Sequence, residues 1–387
     1  MEGGFIKINE WLLPLSWLYG LGVRFRNFLF DVGVLKSRAY RMPIISVGNI
    51  TVGGTGKTPH VEYLARLLKD KLGVAILSRG YKRKSQGYVL AGADTTMEQI
   101  GDEPFQMKQK FPDVTVAVDK NRRRAIEHLS ANDSVDVILL DDAFQHRYVK
   151  PGLNILLVDY HRLIIYDQLL PAGRLREPLD GKDRADIVII TKCPKDLKPV
   201  EYRVITRAMN LYPFQYLYFS TLEYEPLQPV FGTAMSRSLS MEQLKEQNVL
   251  LLTGIASPRQ LTEELTPQVK SLTSLVFADH HNFSRKDIRQ LNEVFDYMPM
   301  PRMVITTEKD AARLTNCSGL SDEVRQALYK LPVRISFMLD QEDSFDQNIL
   351  EYVQKNARRR IHIKKKETIT TDSAPLTDGK PRTISFR

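Results

Sequence analysis

The stretch that most constrains this chain runs from Pro43 to Lys71, PIISVGNITVGGTGKTPHVEYLARLLKDK. An apolar, β-leaning run (Ile44, Ile45, Val47) leads into Gly53-Gly54-Thr55-Gly56-Lys57-Thr58. Apolar residues then recur at Val61, Leu64, Ala65 and Leu68, the spacing of one helix face, with Pro59 in a first turn that tolerates it. Strand, glycine-rich loop and helix in this order make a phosphate cradle. Glycines let backbone N–H groups converge on an anion, and the helix N-terminus adds its dipole. Lys57 is placed to reach terminal phosphates and Thr58 to offer a hydroxyl to Mg²⁺. The candidate nucleotide-binding residues are therefore Thr51, Val52, Gly53, Gly54, Thr55, Gly56, Lys57 and Thr58. The strict pattern opens on glycine where this chain has Thr51, so the flanking strand and helix carry the assignment.

A second element supports it. Ser134–Leu140 is a buried-type apolar run that ends in Asp141-Asp142-Ala143-Phe144-Gln145-His146-Arg147. Paired carboxylates at the C-terminal end of such a strand are placed to hold Mg²⁺ against nucleotide phosphates. Further on, Leu170–Pro178 carries Arg174, Arg176 and Glu177 between two prolines, a stiff loop whose guanidinium groups suit an anion. Short apolar strands alternating with helices to about residue 210 predict a doubly wound, mostly parallel α/β domain with ligands at the strand C-termini.

The net charge of +9 favours an acidic partner, whether nucleic acid, anionic lipid or a phosphorylated substrate. Two cysteines, Cys193 and Cys317, provide no disulfide or metal framework and suit a reducing compartment. Both tryptophans, Trp11 and Trp17, fall in an uncharged run from Trp11 to Val23, too short for the roughly 20 apolar residues of a membrane span. Arg24, Arg26, Lys36, Arg38 and Arg41 follow directly. Aromatic rings beside cations on an apolar helix predict an interfacial segment.

The expected organisation is an interfacial segment at residues 1–42, a nucleotide-binding domain at 43–215 and an extended linker at 216–246. A second, smaller α/β domain follows at 247–355, then a basic and polar tail at 356–387.

Taken together, SVGNITVGGTGKTP, GDEP, DDAFQHR, PAGRLREP, FADHHNF and TTEKDA resemble, in order and spacing, the bacterial tetraacyldisaccharide 4′-kinases. The family's usual DDGFQH stands here with Ala143 in place of its glycine, both aspartates kept. The resemblance covers about residues 10–350 and implies a P-loop-type kinase of two α/β domains with the reaction in the cleft. It implies ATP and Mg²⁺ as cofactors, the latter on Thr58, Asp141 and Asp142, and the 4′-hydroxyl of an acylated disaccharide 1-phosphate as acceptor. It also implies a peripheral position on the cytoplasmic face of the inner membrane, with no nucleic acid and no obligate protein partner. By motif position, Asp102 is the catalytic base, His280 its partner, and Lys57 the phosphate-contacting cation. Gln145, His146, Arg174, Arg176 and Glu177 are candidates for binding substrate.

Two other classes fit less well. One is a P-loop ATPase or GTPase that drives a partner without a lipid acceptor; its switch-GTPase form needs a base-reading Asn-Lys-x-Asp loop, and neither Thr191-Lys192-Cys193-Pro194 nor Thr307-Glu308-Lys309-Asp310 supplies one. A nucleic-acid binder needs aromatics among its basic patches, whereas both tryptophans here lie in the N-terminal apolar run.

Overall fold

The computed structural model describes residues 6, 8–232, 238–255, 258–279 and 281–357. In chain order its strands are β1 (Ile44–Gly48), β2 (Val74–Ser78), β3 (Val89–Leu90), β4 (Thr115–Val118), β5 (Val137–Asp141), β6 (Leu153–Asp159) and β7 (Ile187–Thr191). They continue as β8 (Tyr216–Tyr224), β9 (Gln228–Pro229), β10 (Asn248–Thr253), β11 (Ser271–Val276), β12 (Arg302–Thr307), β13 (Leu328–Leu331) and β14 (Val333–Phe337). The helices are α1 (Leu13–Asp31), α2 (Lys57–Lys69), α3 (Met97–Ile100), α4 (Asp102–Lys110), α5 (Arg122–Ser130) and α6 (Pro199–Met209). After these come α7 (Arg259–Leu265), α8 (Arg285–Tyr297), α9 (Glu308–Leu314), α10 (Asp322–Ala327) and α11 (Glu342–Asn356).

Nine strands form the larger sheet in the order β14-β8-β7-β6-β1-β5-β2-β4-β3, parallel except at the edges, where β3 and β14 run antiparallel to their neighbours. Its central strands read as unbroken apolar runs because both faces are covered. Alternate residues serve opposite layers: Ile45, Val47, Val137 and Leu139 join Val61, Leu64 and Leu68 of α2 and Phe345 and Ile349 of α11. Ile44, Ile138 and Leu140 instead meet Ala125, Ile126 and Leu129 of α5. The chain winds outward in opposite directions on the two sides of β1, which lies between β6 and β5. Loops leaving the C-terminal ends therefore diverge there and open a crevice. That crevice is where the glycine-rich loop emerges.

The smaller sheet, β11-β10-β12-β13-β9, is parallel apart from β9. Leu250 and Leu252 pack with Ile288, Leu291 and Phe295 of α8 on one side. Val249 and Leu251 pack with Leu261 and Leu265 of α7 on the other.

The topology corrects the expected boundaries in two places. Residues 216–224, read as part of an extended linker, form β8, which pairs with β7 and β14 inside the large sheet. The alternation of Tyr218 with Phe219 and Thr221 is the period-two pattern of a strand covered on both faces. Second, the segment 247–355 does not stay in one domain. After β13 the chain returns through Pro332, so that β14 and α11 complete the nucleotide-binding domain. The two crossings are bonded to each other, the Glu225 N–H donating to the Pro332 carbonyl at 3.0 Å.

Candidate active site

The loop between β1 and α2 is shaped by its own backbone. Gly56, the residue before α2, has φ of 81°, a conformation that a side chain would strain. At the end of β1, a Cβ on Gly48 would come within 2.7 Å of the Phe144 Cβ, so glycine lets the 141–147 loop cross directly over the strand. The loop is then fastened from behind. Asn49 Nδ2 donates to Thr55 Oγ1 at 2.8 Å, the Thr191 hydroxyl donates to the Thr55 carbonyl at 3.0 Å, and Lys192 Nζ donates to the Gly54 carbonyl. Lys192 is itself held by Asp159 at 2.8 Å. With these carbonyls tied to β7, the opposite side of the loop is left to face an anion.

At the end of β5, Lys57 Nζ lies 3.5 Å from Asp142 Oδ1, and Arg176 lies 3.8 Å from Asp142 Oδ2. Asp142 adopts φ of 48°, in the left-handed region where aspartate is among the better-tolerated residues. Asp141 is buried; its Oδ2 accepts from the Ser78 hydroxyl at 3.2 Å, while Oδ1 has no protein partner. Burial, with Glu103 and Asp142 close by, raises its carboxyl to about 7 against the pull of Lys57 and Arg122. An orphaned oxygen on a buried carboxylate, beside a second carboxylate that Lys57 approaches, fits Mg²⁺, with Thr58 next to Lys57 in the chain. Such an ion takes one or two carboxylates and draws its remaining ligands from phosphates and water. Among the described residues no cluster of three or more His, Cys, Asp or Glu is arranged for a metal.

Arg174 and Arg176 belong to a loop that runs alongside the glycine-rich segment, with the Val52 N–H donating to the Arg174 carbonyl at 2.8 Å and Arg176 N–H to the Ile50 carbonyl at 2.7 Å. Arg174 Nη1 lies 4.0 Å from where a Cβ on Gly53 would sit. The structure thus brings both arginines to the phosphate end. Glu177 turns inward instead, accepting from Arg184 at 2.7 Å. Gln145 donates to the Asn49 carbonyl, bracing the loop from beneath. His146 is driven down to about 4 by burial and by Arg122, Arg26, Arg79 and Arg123, so it stands neutral among cations.

Asp102 opens α4, and Glu103 beside it contributes the largest charge effect on Asp141. Both acids are met from the smaller domain: Arg313 of α9 donates from Nε to Asp102 Oδ2 at 3.1 Å, and Lys309 lies 3.7 Å from Glu103. His280 lies outside the described residues. Its neighbour His281 bonds Asp287 at 2.9 Å and stacks on Phe277, a role internal to its own loop.

Sequence reasoning missed Asn49, Lys192, Glu103 and Arg313. Asn49 lies within SVGNITVGGTGKTP, Glu103 within GDEP and Arg313 two residues after TTEKDA, whereas Lys192 acts through contacts that no short motif encodes. Buried Arg122 donates to the Asp141 carbonyl at 2.7 Å.

The helix α1 is bolted to these same loops. Ser16 Oγ donates to the Leu169 carbonyl and accepts from the Ala172 N–H, both at 2.9 Å. Tyr19 donates to the Arg176 carbonyl at 2.8 Å, and Arg26 to that of Gln145 at 3.3 Å. Its other side is bare, with Trp11 91% and Trp17 75% exposed and Leu15, Leu18, Leu21 and Phe25 exposed beside them. No helix among the described residues is long and apolar enough to cross a membrane.

Residues 8–354 match the family model for tetraacyldisaccharide-1-P 4′-kinase. The chain is 55% identical over 362 residues to the tetraacyldisaccharide 4′-kinase of Phocaeicola vulgatus, covering 92% of this chain and 99% of that one. It is 53% identical over 367 residues to the enzyme of the same name from Bacteroides thetaiotaomicron, covering 92% and 97%. In structure it is similar to the Aquifex aeolicus member crystallised with ATP, at a TM-score of 0.68 and 32% identity over 89% of this chain and 99% of that one.

Proposed function

Because the chain belongs to the tetraacyldisaccharide 4′-kinase family, we propose that it transfers the γ-phosphoryl group of ATP to the 4′-hydroxyl of a tetraacyl disaccharide 1-phosphate. The observation that carries this reading is the meeting of Lys57, Asp141 and Asp142 at the crevice beside β1, with Glu103 of α4 close to Asp141 and Asp102 next to it in the chain. Residues Thr51 to Thr58 hold the triphosphate, Lys57 on its terminal phosphates. Thr58, Asp141 and Asp142 would hold Mg²⁺, which when bound offsets phosphate charge. Arg174 and Arg176 lie beside the phosphate loop, where guanidinium groups stabilise anions bidentately. Gln145 and His146 follow Asp142 in its loop and Glu177 follows Arg176, and these loops are assigned to the substrate side.

A sugar hydroxyl does not ionise at neutral pH, so a positioned base must accept its proton as the phosphoryl group moves. The metal-facing pair is ill suited, since bound cation holds carboxylates ionised and weakly basic. Asp102 remains, with His280 as the partner that shares the proton. The bare face of α1 seats the protein on the cytoplasmic surface of the inner membrane, where an acylated substrate is found. The reducing compartment implied by the two free cysteines agrees.

The test is transfer of the γ-phosphate to acylated disaccharide 1-phosphate, with product position fixed by NMR and with DNA and RNA as controls. Transfer to the 4′-oxygen only with glycolipid is expected. Acceptor-independent hydrolysis that glycolipid does not stimulate would overturn the kinase reading. For the base, Asp102→Ala and His280→Ala should each depress kcat strongly with ATP affinity kept. The double variant should be little worse than the poorer single one, because groups acting as a unit are non-additive. Multiplicative losses would remove the dyad.

A further inference from the structure

Arg313 is an unusual partner for the candidate base because it comes from the other domain and is itself rigidly held. Its side chain is only 2% exposed. Nε and Nη2 both donate to Asp102 Oδ2, the first at 3.1 Å, while Nη1 donates to Asp310 Oδ1 at 2.9 Å. Asp310 Oδ2 in turn accepts the Gly254 N–H and the Thr307 hydroxyl, each at 2.8 Å. Gly254 follows β10 and Thr307 ends β12, so the bonds run without a break from the smaller sheet to the carboxylate on α4. The same two helices are pinned alongside by Lys309 on Glu103 at 3.7 Å and Lys110 on Glu308 at 2.9 Å.

We propose that Arg313 is a positioning residue of the phosphoryl transfer, which orients Asp102 and holds it ionised so that the base is assembled only where the two domains meet. The inference rests on the reading of Asp102 as the base. Asp102 precedes Glu103, the acid that acts on Asp141, at the start of α4, in a crevice that must also take a triphosphate. Surroundings of that sign favour protonated carboxyls, and a protonated Asp102 accepts nothing. A guanidinium against it restores the charged form, and two N–H groups of one rigid fork converging on Oδ2 fix that oxygen's position, which a freely rotating lysine ammonium does not. Asp310 balances the charge of Arg313 and anchors it, so that the fork does not swing toward nucleotide.

The experiment compares Arg313→Met, Arg313→Lys, Asp102→Ala and the Asp102→Ala/Arg313→Met double variant, measuring kcat against pH and the KM for ATP and glycolipid. Arg313→Met should lower kcat by about 10–10²-fold, up to the lower end of what proton transfer contributes, as suits a residue that acts through the base. The KM for ATP should hold within about twofold, and the acid limb of the kcat profile should move to higher pH. Arg313→Lys keeps the charge and loses the fork, so it should leave the limb in place with a smaller loss. Added to Asp102→Ala, the Met substitution should cost little more. A loss of kcat with an unmoved limb, or multiplicative losses in the double variant, would mean that Arg313 only ties the domains together. If Arg313→Met does not fold, Arg313→Lys decides alone: a kcat equal to wild type overturns the role of the fork. Near-normal kcat in Asp102→Ala sinks the base reading itself, whereas an inactive Asp102→Ala beside a fully active Arg313→Met sinks only the role of Arg313.

Discussion

At the scale of single residues, Lys57 and His60 show how differently two polar groups of one helix serve the site. Lys57 points along the crevice at Asp142, so its charge is available to a transferring phosphoryl group. Lys57→Ala and Thr58→Ala should each lower turnover by on the order of 10²–10³, the usual cost of one electrostatic contact to a transition state. Near-normal steady-state transfer in either variant would remove the phosphate-loop assignment. His60 sits one turn further on, buried between the Gly56 carbonyl at 2.7 Å and the Ser220 hydroxyl at 3.1 Å. Burial pushes its imidazole down from 6.5 to about 4. Between those values the unfolded chain binds a proton that the folded chain does not. The contribution is therefore complete above pH 6.5 and is lost as pH falls toward 4, on the order of 2–3 kcal/mol in all. Urea midpoints from pH 7.5 to 4.5 should drop less steeply for His60→Gln than for wild type; parallel curves would contradict this. Lys57 was legible in the sequence because its motif is contiguous. His60 was not, since its neutral state follows from burial against partners as distant as Ser220, 160 residues away.

Elements were legible where their period was strong and their partners near. The strand–loop–helix at 43–71 and the strand into Asp141 stand as the local pattern implies. At β8 the same local pattern was present, yet Pro226 and Pro229 just beyond it read as linker punctuation. Which sheet a strand joins is a long-range matter that local periodicity does not carry. The helix α1 presents the complementary case. Its apolar residues exceed what the protein beneath can cover, because Ser16 and Gly20 form the close contact and the remainder of the stripe faces outward. A hydrophobic stripe of this kind flanked by arginines is suited to a lipid interface. Replacing Trp11, Leu15, Trp17 and Leu18 with serine should move the protein from anionic vesicles to the supernatant in flotation and raise the KM for glycolipid. The KM for ATP should be unchanged. Undiminished flotation would place the membrane contact elsewhere, with the basic run from Lys355 as the next segment to remove.

On the scale of the whole molecule, the two domains touch through α4 and α9 and are joined by two crossings rather than one. Sequence order hid the second crossing, since β14 and α11 follow the smaller domain in the chain yet complete the larger one. The contact itself is ionic. Lys110 donates to Glu62 of α2 at 2.6 Å and to Glu308 of α9 at 2.9 Å, one ammonium shared by two carboxylates from opposite domains. Glu62 is nearly enclosed, and burial, with Glu308 adding to it, raises its carboxyl to about 7 even with Lys110 in place. In Lys110→Met the two acids would face each other without a counter-ion. Glu62 would be driven further toward its protonated form, so the folded protein would hold a proton that the unfolded chain releases. Its stability would then fall as pH rises. Removing one partner of a buried pair costs roughly 3 kcal/mol, less here because Lys110 and Glu308 keep some solvent contact. The deficit in Tm of Lys110→Met should accordingly be small at pH 5.5 and grow toward pH 8, with the Glu62→Gln/Lys110→Met double variant relieved at the higher pH. The same series followed by small-angle scattering should show the domains parting in step with that deficit. A Tm loss independent of pH would mean that Lys110 contributes packing along its stem rather than the charge that holds the two domains together.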